Sequence, residues 1–131
     1  MRIWLSAFAA FPLLFSLLAC TKSPVMIDRV LVQNATVGRI TDVTVRHEPT
    51  KKFGAVNAIL PGKALEIGLS GGGQPLLAQQ AFVQWRDADD HEWTVVLDLP
   101  SEQHTAEEKQ PVSLIYIIYP SGRANVRLRG L

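Results

Sequence analysis

From Met26 onward the chain is a succession of short runs rich in β-branched and aromatic residues, cut by Gly, Pro, Asn and Asp, with no window of helical period. The runs cover 26–33, 39–47, 63–69, 81–86, 92–99, 112–119 and 124–130, and 56–60 is a candidate eighth. A parallel α/β fold needs crossover helices, and no segment here can supply them. Seven to eight strands in about 105 residues instead predict an all-β fold, a single antiparallel β-sandwich of immunoglobulin-like size. Length allows one such domain and no second.

Two hairpins can be placed by register. Pairing Trp85 with Trp93 leaves Ala88-Asp89-Asp90 as a three-residue loop, with Asp90 in the left-handed conformation that Asp tolerates. Directly opposed residues share a face. Trp85/Trp93, Val83/Val95 and Ala81/Leu97 are then the core side, and Arg86/Glu92, Gln84/Thr94 and Phe82/Val96 the outer side. Tyr119-Pro120-Ser121-Gly122-Arg123 similarly predicts a type I turn followed by a glycine of positive φ. Tyr116/Val126 and Leu114/Leu128 then point inward, and Ile115/Arg127 and Ser113/Arg129 outward.

The residues before Met26 differ in kind. Arg2 is the only charge in 1–19; Ile3 to Leu18 are apolar apart from Ser6, Pro12 and Ser16, and Leu17-Leu18-Ala19-Cys20 closes the stretch. This resembles a bacterial lipoprotein signal peptide, with Cys20 as the lipidation site. The resemblance implies that diacylglycerol is attached to Cys20, that 1–19 are removed, and that the new N-terminus takes a further acyl group such as palmitate. An uncleaved membrane helix and an ordinary secretory peptide remain the alternatives. All three place the rest of the chain outside the cytoplasm. Thr21 stands where lipoproteins kept in the inner membrane often carry Asp, which favours the outer membrane, facing the periplasm. The expected organisation is a signal peptide at 1–19, a lipidated tether at 20–25 and a β-domain at 26–131. Cys20 is the only cysteine, so the domain must be stable without an internal disulfide.

Removing 1–19 also removes one of the 13 basic residues, leaving 12 against 12 acidic ones. That neutral balance, without a Lys/Arg cluster, argues against nucleic acid as a partner. The expected partners are a membrane, through the lipid on Cys20, and a protein in the cell envelope. Ile115, Ile117 and Tyr119 beside Arg123, Arg127 and Arg129 form the expected protein-binding surface, since apolar and cationic side chains alternate there. The competing expectation is a central strand covered by the N-terminal segment or the polar loop at 101–111, with the Arg residues solvated.

Chemistry-bearing patterns are sparse. Asp87, Asp89, Asp90, His91 and Glu92 concentrate oxygen acceptors but lack the glycine and distant bidentate Glu of a calcium loop, and read as a solvated hairpin tip. His47, His91 and His104 fall on different elements, so no metal site is expected. Ser70-Gly71-Gly72-Gly73 lacks both the flanks of a nucleophile elbow and a following helix. No catalytic residue and no cofactor is expected. The reading is a lipid-anchored binding or assembly accessory protein without a catalytic role. A carbohydrate or small-ligand binder using Trp85, Trp93 and Tyr116 is the alternative, and a hydrolase has the least support.

Overall fold

The breaks in hydrophobic alternation along the first two strands set how this chain builds its core. In the computed structural model, which describes residues 24–69, 73–100 and 111–130, β1 (Met26–Asn34) carries a register shift between Ile27 and Arg29. The inward positions accordingly change parity, from Ile27 to Val30, Val32 and Asn34. In β2 (Ile40–Glu48) Asp42 takes φ 50° at an irregularity between Thr41 and Thr44. Inward positions pass from Ile40 to Val43, Val45 and His47, all buried. The lipobox-like residues ending at Cys20, the Ser70–Gly72 stretch and the polar residues 101–110 lie outside the described residues.

Among the described residues there are nine strands, adding β3 (Phe53–Ile59), β4 (Ala64–Glu66), β5 (Gln74–Pro75), β6 (Gln80–Arg86), β7 (Glu92–Asp98), β8 (Val112–Tyr119) and β9 (Arg123–Gly130). One sheet has the order β4-β1-β8-β9, with the two-residue β5 also on β1; the other has the order β3-β2-β6-β7. The sheets face each other in a sandwich-like arrangement, and the described residues contain no helix. Both hairpin registers expected from the sequence are present, Trp85 opposite Trp93 and Tyr116 opposite Val126.

Three expectations need correction. The fold is not purely antiparallel: β1 and β8 run parallel, Val30 beside Leu114 and Val32 beside Tyr116, which makes the first sheet mixed. The run expected at 63–69 pairs only over Ala64–Glu66, and the chain then turns at Gly68 to reach β5. The turn after Tyr119 has φ 64° at Ser121 as well as φ 74° at Gly122. A positive φ at the third turn position belongs to type II, not type I.

The core is built from both inner faces: Val30, Val32, Leu114, Tyr116 and Ile118 meet Val43, Val45, Val83 and Trp85, all at or below 3% exposure. Val25, assigned to the tether by sequence, is part of it, and its carbonyl accepts the Leu76 N–H at 2.7 Å. Core packing thus includes the residue immediately before β1. Asn34 closes the opposite end of β1. Its amide donates to the carbonyls of Gly38 (2.8 Å) and Ile59 (2.9 Å), and its Oδ1 accepts from the Thr36 N–H and hydroxyl. A buried amide with every group partnered fixes the path by which the chain leaves one sheet for the other.

Candidate functional site

The strand directions bring three turns to one end of the sandwich, the tip. They are the β1–β2 connection (Thr36 to Gly38), the β6–β7 turn (Asp87 to His91) and the β8–β9 turn (Pro120 to Gly122). Between them lies a cleft of about 360 Å³, with Trp93 and Tyr119 on its walls and Val37 at its rim. Val37 is 97% exposed.

Asp87 organises the cleft. Its Oδ1 accepts the N–H groups of Asp89 and His91, both at 2.9 Å, and its Oδ2 accepts the Trp93 indole N–H at 2.8 Å. These bonds, the Trp93 one foremost, hold the carboxyl below the usual aspartate range. The neighbouring acids are engaged with Arg86, whose guanidinium reaches Glu92 (2.8 Å), Asp90 (3.5 Å) and Asp42 (3.6 Å). The acidic run thus shapes a hairpin tip around its own donors. Among the described residues, no group of three or more His, Cys, Asp and Glu side chains is placed to hold a metal ion.

Close approaches hold the three turns together. A side chain on Gly122 would fall on the six-membered ring of Trp93, and one on Gly38 would collide with the Ala88 side chain. The guanidinium of Arg123 lies 6.0 Å from the Tyr119 ring centroid. Two residues assigned by sequence to the face of the β8–β9 hairpin, Tyr119 and Arg123, therefore belong to the tip.

The rest of that predicted surface divides. Arg127 and Arg129 are exposed, but Ile115 and Ile117, expected to point into solvent, are 2% and 4% exposed. β8 lies between β1 and β9, so on the face away from Leu114, Tyr116 and Ile118, Ile115 is flanked by Leu31 and Arg127, and Ile117 by Gln33 and Asn125. These isoleucines are interior to the sheet and cannot serve as an exposed contact.

The aromatic residues considered for a carbohydrate also divide. Trp85 and Tyr116 are core, 2% and 0% exposed, and Trp93 alone is half-buried at the cleft. Tyr116 instead shares a 2.6 Å hydrogen bond with His47, whose imidazole is held down to about 4 by burial and then by the Lys52 charge. His91 is exposed at the tip, and His104 is outside the described residues.

Sequence reasoning missed the cleft and a second feature, a row across the outer face of the second sheet. Phe53, Arg46, Phe82 and Val96 lie directly opposite one another on its four strands. Phe53 is 58% exposed, and the Arg46 guanidinium sits 4.7 Å from the Phe82 ring centroid. The hairpin register had placed Phe82 and Val96 outside, but their neighbours on β2 and β3 are non-local. The cleft had one available signal: an Asp and a Trp flanking the same short loop.

No protein-family model and no curated protein matches the chain. Among solved structures the chain is similar to an NMR structure of a protein from Eubacterium rectale, at 10% identity and a TM-score of 0.46, over 79% of this chain and 89% of that one.

Proposed function

We propose that the chain is a lipid-anchored protein of the bacterial cell envelope, held at the outer membrane and facing the periplasm. Its immunoglobulin-like β-sandwich acts by binding a protein partner and carries out no catalysis. The observation that carries the binding reading is the tip cleft: three turns, packed against one another at Gly38 and Gly122, present Tyr119 and Trp93 beside Val37, which is 97% exposed. Exposed apolar and aromatic groups on a rigid frame suit a protein contact. The anchor reading rests on Leu17-Leu18-Ala19-Cys20 and on core packing that includes Val25, five positions later.

The test is a photoreactive residue at Val37, with a second at Arg127 as the control on the other face, each in cells expressing the full chain. The expected result is one discrete adduct from position 37 that is lost when Tyr119→Ala is added. Adducts from 127 and none from 37 would overturn the reading. Cys20→Ser is expected to release the chain from the membrane fraction.

A second reading, a carbohydrate in the same cleft, is favoured by the half-exposed Trp93 beside His91 and Asp87. It predicts quenching or enhancement of Trp93 fluorescence by the sugar and its loss in Trp93→Phe.

A further inference from the structure

The end of the sandwich opposite the tip has a composition of its own. The chain enters there at Val25, which is 2% exposed. Cys20 stands five residues earlier, a reach of at most about 17 Å in extended chain. The nine residues of β1 run about 30 Å from this end toward the tip. An acyl chain on Cys20 therefore keeps the entry end nearer the lipid surface than the length of the domain.

Leu77 lies at this end, between the buried Leu76 and Ala78, and is 64% exposed. Beside it is the β2–β3 turn, since the Gln79 N–H donates to the Glu48 carbonyl at 2.8 Å. That turn exposes Lys51 and Lys52 and leads into Phe53, 58% exposed. Lys51 pairs with Glu48 at 3.2 Å, but its side chain is 77% exposed, so the pair is solvent-screened and the ammonium stays accessible. A single exposed Leu is ordinary on any protein. A Leu and a Phe flanked by two Lys, within tether reach of an acylated residue, match the pattern of interfacial binding: apolar groups at the acyl boundary and cations among anionic headgroups. The tip hairpin instead carries Asp87, Asp89, Asp90 and Glu92 against Arg86 alone, a net negative charge that such a surface repels, while Glu48 and Asp98 are the acids beside the entry-end lysines.

We propose that the entry end of the domain rests on an anionic phospholipid surface through Leu77, Phe53, Lys51 and Lys52, so that the tip cleft faces away from the membrane. This rests on the acylation of Cys20, and it deepens that reading by giving the anchored domain an orientation. A partner of the tip then approaches from the aqueous side.

Cys20 is the only native cysteine, and acylation blocks its thiol, so a fluorophore can be placed at Leu77→Cys or Val37→Cys in the full chain. The acylated variants, checked by mass spectrometry and circular dichroism, are reconstituted into phosphatidylethanolamine–phosphatidylglycerol vesicles bearing a headgroup-linked spin-label quencher. The expected result is several-fold stronger quenching at 77 than at 37. Lys51→Glu combined with Lys52→Glu lowers it at 77, while Lys63→Glu at the tip end leaves it unchanged. Equal quenching at the two positions in an acylated chain, or stronger quenching at 37, overturns the orientation alone. A chain whose Cys20 carries no acyl group overturns the anchor and the orientation together.

Discussion

His47 on β2 and Tyr116 on β8 are joined by a 2.6 Å hydrogen bond that crosses from one sheet to the other inside the core. Both side chains are almost completely buried, at 2% and 0% exposure. Burial acts on them in opposite directions, lowering the imidazole to about 4 and raising the phenol, so that each is kept neutral.

The pair makes stability depend on pH. An unfolded histidine titrates near about 6.5, so between that value and about 4 the unfolded chain binds a proton that the folded chain refuses. The contribution is complete above about pH 6.5 and is lost as pH falls toward 4, by roughly 3 kcal/mol in all. Urea unfolding of the domain at pH 7.5 and 4.5 is expected to show the drop. In His47→Leu the drop between these two values should be much smaller, whatever the variant's absolute stability.

Asn34 is the polar counterpart at the tip end of β1. Asn34→Ala takes away the side-chain partners of the Ile59 carbonyl and the Thr36 N–H, while the Gly38 carbonyl keeps the Thr36 hydroxyl at 2.9 Å. With buried groups losing about 1–3 kcal/mol each when orphaned, the expected loss is at least about 2 kcal/mol. Asn34→Asp should be no better near neutral pH, because it faces two carbonyl oxygens with a carboxylate. Denaturant midpoints of the two variants against the parent check this; an unchanged midpoint in either would show that the turn does not depend on the amide.

What the sequence discloses and what it hides follow the range of the interactions. Trp85/Trp93 and Tyr116/Val126 could be paired from sequence because a short loop leaves few registers and the pleat fixes the faces. The position of β8 stays open in the sequence between an outward-facing strand and a central one, the arrangement found, because it depends on Val30 and Val32 lying parallel beside Leu114 and Tyr116 from the far end of the chain. With β8 taken as outward-facing, Ile115 and Ile117 looked like a contact surface. The Phe53–Arg46–Phe82–Val96 row was hidden for the same reason, since two of its members come from strands distant from the β6–β7 hairpin. Val25 looked like tether because one apolar residue after a proline carries no period to read.

The corrected placement of β8 has a direct consequence. Ile115→Ala and Ile117→Ala remove side chains that are 2% and 4% exposed, and each is expected to cost about 2–5 kcal/mol, the usual range for buried isoleucine. Arg127→Ala, opposite Ile115 on the exposed edge strand, should change stability by less than about 0.5 kcal/mol. Thermal unfolding of the three variants separates the two classes. Near-neutral isoleucine variants would restore the picture of an exposed apolar stripe.

Gly122 and Trp93 give the corresponding test at the tip. Gly122 has φ 74°, a conformation costly for a side chain, and any Cβ there would fall on the Trp93 ring. Gly122→Ala is therefore expected to lose about 2 kcal/mol or more by strain and overpacking. It should also displace the indole from Asp87, since the same ring cannot both yield to the new methyl and keep its 2.8 Å bond. A shifted Trp93 emission maximum accompanied by lower stability is the expected signature. Asp87→Asn retains a carbonyl acceptor and should shift the emission less. If Gly122→Ala leaves both fluorescence and stability as they were, the β8–β9 and β6–β7 turns are not locked together, and the cleft loses the rigidity on which its binding role depends.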